Sequence, residues 1–357
     1  MEIKRGLEGV VVDTTAISLV DGERGILSYR GIPVEDLVEL SFGEVAALVV
    51  DGASDEALSA QLYAHSELSA RELKLILSLP GETHPMHLLQ GLTPLLDRTN
   101  AFADRGEAAQ GFAVAAKLPA MLAAFHLGGT PVPSASADPA VRFLEQINAP
   151  TTEIAIAAYR TTQILQLEHS FNASTFVARA CASTLAPVEN ALSAAFGTLH
   201  GRLHGGADQA ALETADLVGS PERACSFVDQ CLQDGTKVMG MGHREYKVVD
   251  PRARLLKVLA RALTAGTEHE ITYETLAAIE HRFTERMAEQ GKRLHANLEF
   301  YKGVVYRALG LPDRMFTANF AMARVFGYLA HFVESRENNR IVRPAACYIG
   351  PEVVIRA

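Results

Sequence analysis

From about position 34 onward, apolar residues recur three and four apart, the spacing of one helix face. VEDLVEL and EVAALVV show it first. Ser69 to Glu72 (SARE) is a capping-box signal that opens ARELKLILSL, and Pro80-Gly81 closes it. The Ala-rich stretch Glu107 to Phe125 predicts a helix in two pieces, divided at Pro119. GGTPVPSASADP, Gly128 to Pro139, is rich in turn formers and reads as a linker. Helices resume with IAIAAYRTTQILQL and STFVARACAST, and Ser220-Pro221-Glu222 places an N-cap and an N1 proline ahead of RACSFVDQCL. RARLLKVLARALTA and TLAAIEHRFTERMAEQGKRL are amphipathic. MFTANFAMARVFGYLAHFVE, Met315 to Glu334, is apolar nearly all round and belongs in a core or between subunits. Only the first 30 residues differ: VVVD, AISLV and GILSY are short, β-branched runs, the last two separated by the turn DGERG. The pattern predicts an all-α chain with a small N-terminal β element.

Composition narrows the function class. The 357 residues are 48% hydrophobic, enough for a large buried core and one to three domains. A formal net charge of -9 argues against a nucleic-acid partner, which would call for a basic face. Cys181, Cys225, Cys231 and Cys347 are scattered, with no CxxC pair, and read as buried thiols in a reducing compartment. MEIKRGLEGVVVD has no signal-peptide h-region, and no apolar run approaches the roughly 20 residues of a membrane span. A soluble cytoplasmic protein without a membrane partner is expected.

Candidate chemistry concentrates on three histidines. His204 lies in LHGRLHGGADQAAL, His243 in MGMGHREYK and His169 in LEHSFNAST, each beside glycines or small polar residues. Glycine lets backbone and ligand approach closely, so such an element can aim an imidazole at a carbonyl. His200 and His204 have the i, i+4 spacing of zinc ligands, but Gly201, Gly205 and Gly206 oppose a helix there and no Glu lies between them; no metal is expected. Met239 to Lys257 combines a glycine loop with Arg244, Lys247 and Arg252 and a proline-capped helix start at Asp250-Pro251. That is an anion site rather than a dinucleotide fingerprint, which needs a third glycine and a leading strand. Arg324, inside an apolar segment, needs a partner, either a carboxylate substrate or a salt bridge. Arg340 and Arg343 lie near the C-terminus, within reach of a neighbouring chain. Burial of Glu299 would raise its carboxyl pKa toward that of a useful base.

Eight segments, GLEGVVVDTTAISLVDGERGILSYRG, HPM (His84 to Met86), HSFNASTF, LHGGAD, MGMGHREYKVVDPRA, NLEFYKGVVYRALG, FTANFAMARVFGYLAH and RIVRP, occur in the order found in citrate synthases. From Gly6 to about Gly350 the chain resembles the short bacterial and archaeal type of that family, which includes the 2-methylcitrate synthases. The resemblance implies a two-domain all-α fold: a large domain of residues 1–205 plus 316–357 carrying a homodimer interface, and a small domain, 206–315, that closes over substrate. It implies a Claisen condensation of acetyl-CoA with oxaloacetate, giving citrate and CoA, with no cofactor beyond the thioester substrate. His204 matches the histidine that stabilises the enolate, and His243 the one that polarises the keto group. Glu299 stands at the position of the base. His169, Arg252 and Arg324 match ligands of oxaloacetate or citrate, Arg343 matches an arginine given by the other subunit, and Lys237, Val238, Met239, Gly240, Met241, Gly242 and Lys247 match coenzyme A contacts.

The chain departs from the family pattern around that site. Glu299 replaces the aspartate base and Lys302 a small residue; Arg202, Asp208, Glu245 and Gln90 are further substitutions. A glutamate reaches one methylene further, and Lys302 would lower its basicity. Two alternatives follow: condensation of a longer acyl-CoA, as in 2-methylcitrate synthesis, or of another 2-oxo acid, and a catalytically weakened homologue acting as a binding or assembly subunit, pairing with a paralogue.

Overall fold

The computed structural model describes residues 3–7, 9–243 and 245–351. Two positions of the sequence reading, Arg244 and the side chain of Asp208, lie outside what it describes.

The molecule is all-α with one small sheet. Strands β1 (Ser18–Asp21), β2 (Ile26–Tyr29) and β3 (Ile32–Pro33) form an antiparallel meander, with Ser18 opposite Tyr29 and Asp21 opposite Ile26. The DGERG turn is closed by Gly25 at φ 66°, a backbone setting that suits glycine. Tyr29 is buried and donates its hydroxyl to the carbonyls of Ile164 and Glu168, at 3.0 and 3.1 Å, so the hairpin is fastened to the helical body. VVVD forms no strand. Val11 is 89% exposed and the segment has no ladder partner, so β-branching alone does not make an element there.

The helices of the first half are α1 Val34–Leu37, α2 Phe42–Asp51, α3 Leu58–Ala64, α4 Ala70–Leu77, α5 Pro85–Leu92, α6 Ala109–Leu127, α7 Pro139–Gln146 and α8 Glu153–Gln166. Those of the second half are α9 Ala173–Ala182, α10 Val188–Leu199, α11 Ala207–Val218, α12 Ala224–Asp234, α13 Pro251–Thr264, α14 Glu270–Glu289, α15 Leu298–Ala308 and α16 Phe316–Glu337. The capping box predicted at Ser69 and Glu72 is present, with both reciprocal hydrogen bonds. At Ser220 the expected cap is absent: a short 3-10 turn, Pro221–Arg223, precedes α12 and the serine side chain accepts no backbone N–H.

The centre of the large layer is α16, buried along most of its length, packed against α2, α6, α8, α9 and α10. α6 is one continuous helix rather than two pieces, with Pro119 inside it. Proline forfeits one backbone hydrogen bond, and burial of apolar side chains on nearly every face of α6 outweighs that loss. The stretch 103–127 is long and apolar enough to cross a membrane, contrary to the sequence expectation, but most of it is buried inside the fold, as in a core helix. All four cysteines are free; Cys231 is buried and Cys181 half-buried, whereas Cys225 and Cys347 are exposed rather than buried.

Candidate active site

His204 follows the end of α10 on a tight turn, its N–H donating to the carbonyl of Gly201 at 2.8 Å. Gly205 explains the glycines. A Cβ there would collide with the Leu199 carbonyl oxygen and lie 2.6 Å from Thr317 Cγ2, and the Gly205 carbonyl accepts the Thr317 hydroxyl at 2.8 Å. The turn is thereby pressed onto α16 and fixes the direction of the imidazole. His204 Nε2 lies 2.7 Å from Ser174 Oγ and 3.4 Å from the Ser174 N–H. A backbone N–H can only donate, so Nε2 is the acceptor and Nδ1 carries the proton. The Tyr328 hydroxyl donates to Ser174 Oγ at 2.7 Å, and Oδ1 of Asn172, the α9 N-cap, at 2.8 Å from that Oγ, competes with His204 Nε2 for its single hydroxyl proton. Burial, with Arg324 second, pulls His204 down to about 4, so the ring is neutral.

His243 is arranged with the opposite tautomer. The N–H groups of Glu245 and Tyr246 donate to Nδ1 at 3.0 and 3.2 Å, which leaves the proton on Nε2. Arg252 NH2 lies 3.4 Å from that Nε2, a long contact that the two backbone donors override. Burial first and Arg252 second lower its pKa. The His243 and His169 rings are 5.6 Å apart, and both pack on Tyr246. His169 is half-buried, its Nε2 is shut off from solvent with no protein partner among the described residues, and desolvation with Arg252 and Arg324 holds its pKa well below the usual range.

Two buried guanidiniums complete the anion surface. Arg252, 3% exposed, is clamped by Asp250, which accepts from its Nε at 3.0 Å and NH2 at 2.8 Å and also caps α13. Arg324, 2% exposed, donates from Nε to the Gln166 carbonyl at 2.6 Å and stacks 4.7 Å over Phe320. It forms no ion pair among the described residues, which disfavours the salt-bridge alternative. The buried carboxylate of Glu168 acts on it from beyond ion-pair distance.

Glu299 sits in the first turn of α15 with its side chain 17% exposed. Fully buried Lys302, one turn on, lies 4.0 Å from its carboxylate, bonds Gln166 Oε1 at 3.0 Å and covers the Phe320 ring. Burial is the largest influence on Glu299 and raises it, but Lys302 and then Arg252 pull harder together, so its pKa lies below the ordinary carboxylate value. The upward shift expected from burial is thus overturned by two neighbouring cations. The loop 237–242 docks beside this helix start: Gly242 N–H donates to the His295 carbonyl at 2.8 Å, and Asn297 donates its N–H to Gly240 at 3.0 Å and Nδ2 to Gly242 at 3.1 Å. Gly240 and Gly242 have φ of 78° and 85°. Val238 and Gly240 are buried, Met241 is half-buried, and Lys237, Met239 and Lys247 are exposed.

The N-terminal hairpin supports the His243 loop from outside. The Lys247 N–H donates to the Gly22 carbonyl at 2.9 Å, and a Cβ on Gly22 would collide with the Glu245 carbonyl. One on Gly25 would lie 2.6 Å from Val248 Cγ2.

The fold therefore brings together His169, His204, His243, Arg252, Arg324 and Glu299, whose charges act on one another. Arg343 is not among them; it stands exposed on the segment after α16. His200 turns away from His204 and stacks on His84 at 4.3 Å. Sequence reasoning missed Ser174, Gln166, Asp250 as a clamp, and Tyr246 and Tyr328; Asp250 reads there as a cap, and Ser174, Tyr246 and Tyr328 lie inside quoted segments that do not single them out.

The sequence profile described as "Citrate synthase, C-terminal domain" matches residues 6–345. The chain belongs to the citrate synthase family. Within that family it is 37% identical to the citrate synthase of Synechocystis sp. over 362 residues, covering 97% of this chain and 91% of that one. It is 35% identical to the 2-methylcitrate synthase of Mycobacterium tuberculosis over 367 residues, covering 98% and 91%. Its fold is similar to the crystal structure of citrate synthase from Thermotoga maritima, with a TM-score of 0.88, 31% identity and coverage of 100% and 98%. It is equally similar, at 0.88 and 28% identity with the same coverage, to the Thermoplasma acidophilum citrate synthase in ternary complex with carboxymethyl coenzyme A and oxaloacetate.

Proposed function

We propose that this citrate synthase family member condenses acetyl-CoA with oxaloacetate to give citrate and CoA, with Glu299 as base. The observation that carries the reading is the convergence on one ionised carboxylate of two neutral imidazoles of opposite tautomer, one presenting Nδ1–H and the other Nε2–H. Glu299 takes a methyl proton from the thioester, and the developing enolate oxygen accepts from His204 Nδ1–H. The enolate carbon then attacks the keto carbon of oxaloacetate, whose oxygen accepts from His243 Nε2–H. Water afterwards cleaves the thioester of the condensed product, releasing CoA. Oxaloacetate is a dianion, which His169, Arg252 and Arg324 suit, with Arg343 supplied by a second copy in a homodimer. Residues 237–242 and Lys247 receive coenzyme A, and 206–315 closes as a small domain onto 1–205 plus 316–357.

This chemistry needs no further cofactor, metal, nucleic acid or membrane, and it fits a cytoplasmic enzyme of the tricarboxylic acid cycle. One observation favours a second reading: Lys302 lies beside Glu299 and weakens it as a base, as expected of a homologue that binds substrates, or assembles with a paralogue, without turnover. Thiol release decides between them. Oxaloacetate is offered with acetyl-CoA and with propionyl-CoA, to wild type, Glu299→Asp and Glu299→Gln. Turnover by the wild type that Glu299→Gln loses supports the synthase, and the better thioester separates citrate from 2-methylcitrate synthesis. A silent wild type with an active Glu299→Asp supports the weakened homologue.

A further inference from the structure

Away from the site just described, α2, α6, α7, α8 and α16 enclose a cleft with mainly apolar walls, among them Phe42, Phe143, Met322 and Phe326. It holds about 450 Å³ of space not occupied by protein atoms, its solvent-open mouth included, and its interior is narrow, with room for a few heavy atoms. One wall residue is out of character. Arg142, on α7, is 2% exposed, yet neither its Nε nor its NH1 has a hydrogen-bond partner among the described residues. The nearby carboxylate of Asp138 is otherwise engaged: it caps α7 through the N–H groups of Ala140 and Val141 and accepts from Arg160 at 2.5 Å. Tyr63 offers only its ring face, 5.5 Å from the guanidinium carbon. Burial lowers Arg142 to about 10, so it remains a cation at neutral pH.

A buried, unpaired charge is costly, and truncation or replacement by an apolar side chain of similar length relieves the cost. Water in the cleft would hydrate the fork without neutralising it. A carboxylate would do both, because its two oxygens match the planar donors of arginine. One cation suits a monoanion, and the apolar walls suit a short hydrocarbon end.

We propose that this cleft is a binding site for a short aliphatic monocarboxylate, its carboxylate on Arg142 and its chain against Phe42, Phe143, Met322 and Phe326. The site is separate from the candidate active site but close to it. Gln163, a wall residue, donates to the Tyr306 hydroxyl at 3.2 Å; Gln166 donates to the same oxygen at 2.8 Å and holds Lys302.

The test is titration calorimetry of the full chain with butyrate, with neutral butanol and chloride as controls. Wild type, Arg142→Met, Arg142→Lys and Arg252→Met are compared. Butyrate is expected to bind wild type and Arg252→Met alike, to bind Arg142→Lys about tenfold more weakly or worse, and not to bind Arg142→Met. Arg142→Met is expected to melt at a temperature equal to or above that of wild type without ligand. Should Arg142→Met fail to fold, the lysine variant carries the comparison. Absence of butyrate binding to the wild type, loss of binding in Arg252→Met with retention in Arg142→Met, or equal affinity in Arg142→Lys overturns the proposal. Because no turnover is read, the outcome is independent of whether the chain condenses acetyl-CoA.

Discussion

At the scale of single residues, the substitution that most alters the family pattern is also the one the structure explains best. Lys302 is fully buried, anchored by Gln166, and pulls the Glu299 carboxylate below its ordinary pKa. Removing it as Lys302→Met is expected to let burial prevail, so that Glu299 titrates higher and the acid limb of the kcat–pH profile moves to higher pH. An unmoved limb would dissociate the lysine from the base. Stability follows the same sign: a carboxylate with a depressed folded pKa contributes stability above its unfolded value, lost as pH falls through the folded one, and Lys302→Met removes that contribution. In the proposed reaction His204 acts through position and tautomer. Ser174→Ala takes away the hydroxyl at 2.7 Å from Nε2 and is expected to lower kcat by about tenfold to a hundredfold with little change in the KM for oxaloacetate. Stopped-flow or steady-state thiol release reads both. His204 and His243 were legible because glycines flank them; their tautomers were not, because they depend on where the backbone N–H groups of Ser174, Glu245 and Tyr246 point in space, which residue spacing does not show.

At the scale of elements, helix starts were the most legible part of the sequence. Ser69 and Glu72 spell out a local hydrogen-bond pattern, and local patterns are written in adjacent residues. Ser69→Ala is expected to cost about 1 kcal/mol, read from the denaturation midpoint. What the sequence concealed was competition between local and distant terms. VVVD has strand propensity without a partner, and α6 runs through Pro119 because tertiary burial exceeds one lost hydrogen bond. The glycine turn behaves likewise. Gly205→Ala must displace both the Leu199 carbonyl at the end of α10 and Thr317 on α16, and is expected to destabilise by about 1–3 kcal/mol and to impair turnover beyond what stability accounts for. Retention of full activity at wild-type stability would show the turn to be slack.

At the scale of the whole molecule, several imidazoles are kept neutral by burial: His84 and His204 at about 4, and His169 and His243 lowered as well. An unfolded chain takes up protons at these rings as pH drops below 6.5, while the folded one does not, so stability falls between 6.5 and about 4. Melting temperature measured across that window is expected to decline steadily; a flat profile would contradict the buried, neutral assignment. The exposed segment bearing Arg343 is where the proposed homodimer can be tested. Two inactive variants, Arg343→Ala and His204→Ala, are expected on mixing and reassociation to regain about a quarter of wild-type sites, provided each subunit completes the other's.

The close fit of the N-terminal hairpin onto the His243 loop bears on how such a chain can evolve. Gly22 and Gly25 admit the backbone of Glu245 and the side chain of Val248 only because they lack a Cβ, and Lys247 is bonded back to Gly22. A recombination event with its crossover anywhere from residue 31 to residue 242 separates the two partners, joining the hairpin of one parent to the loop of another. Such a chimera fits only where the parent that gives the hairpin carries both glycines, so the hairpin's sequence sets which foreign loops, more than two hundred positions later, the fold accepts.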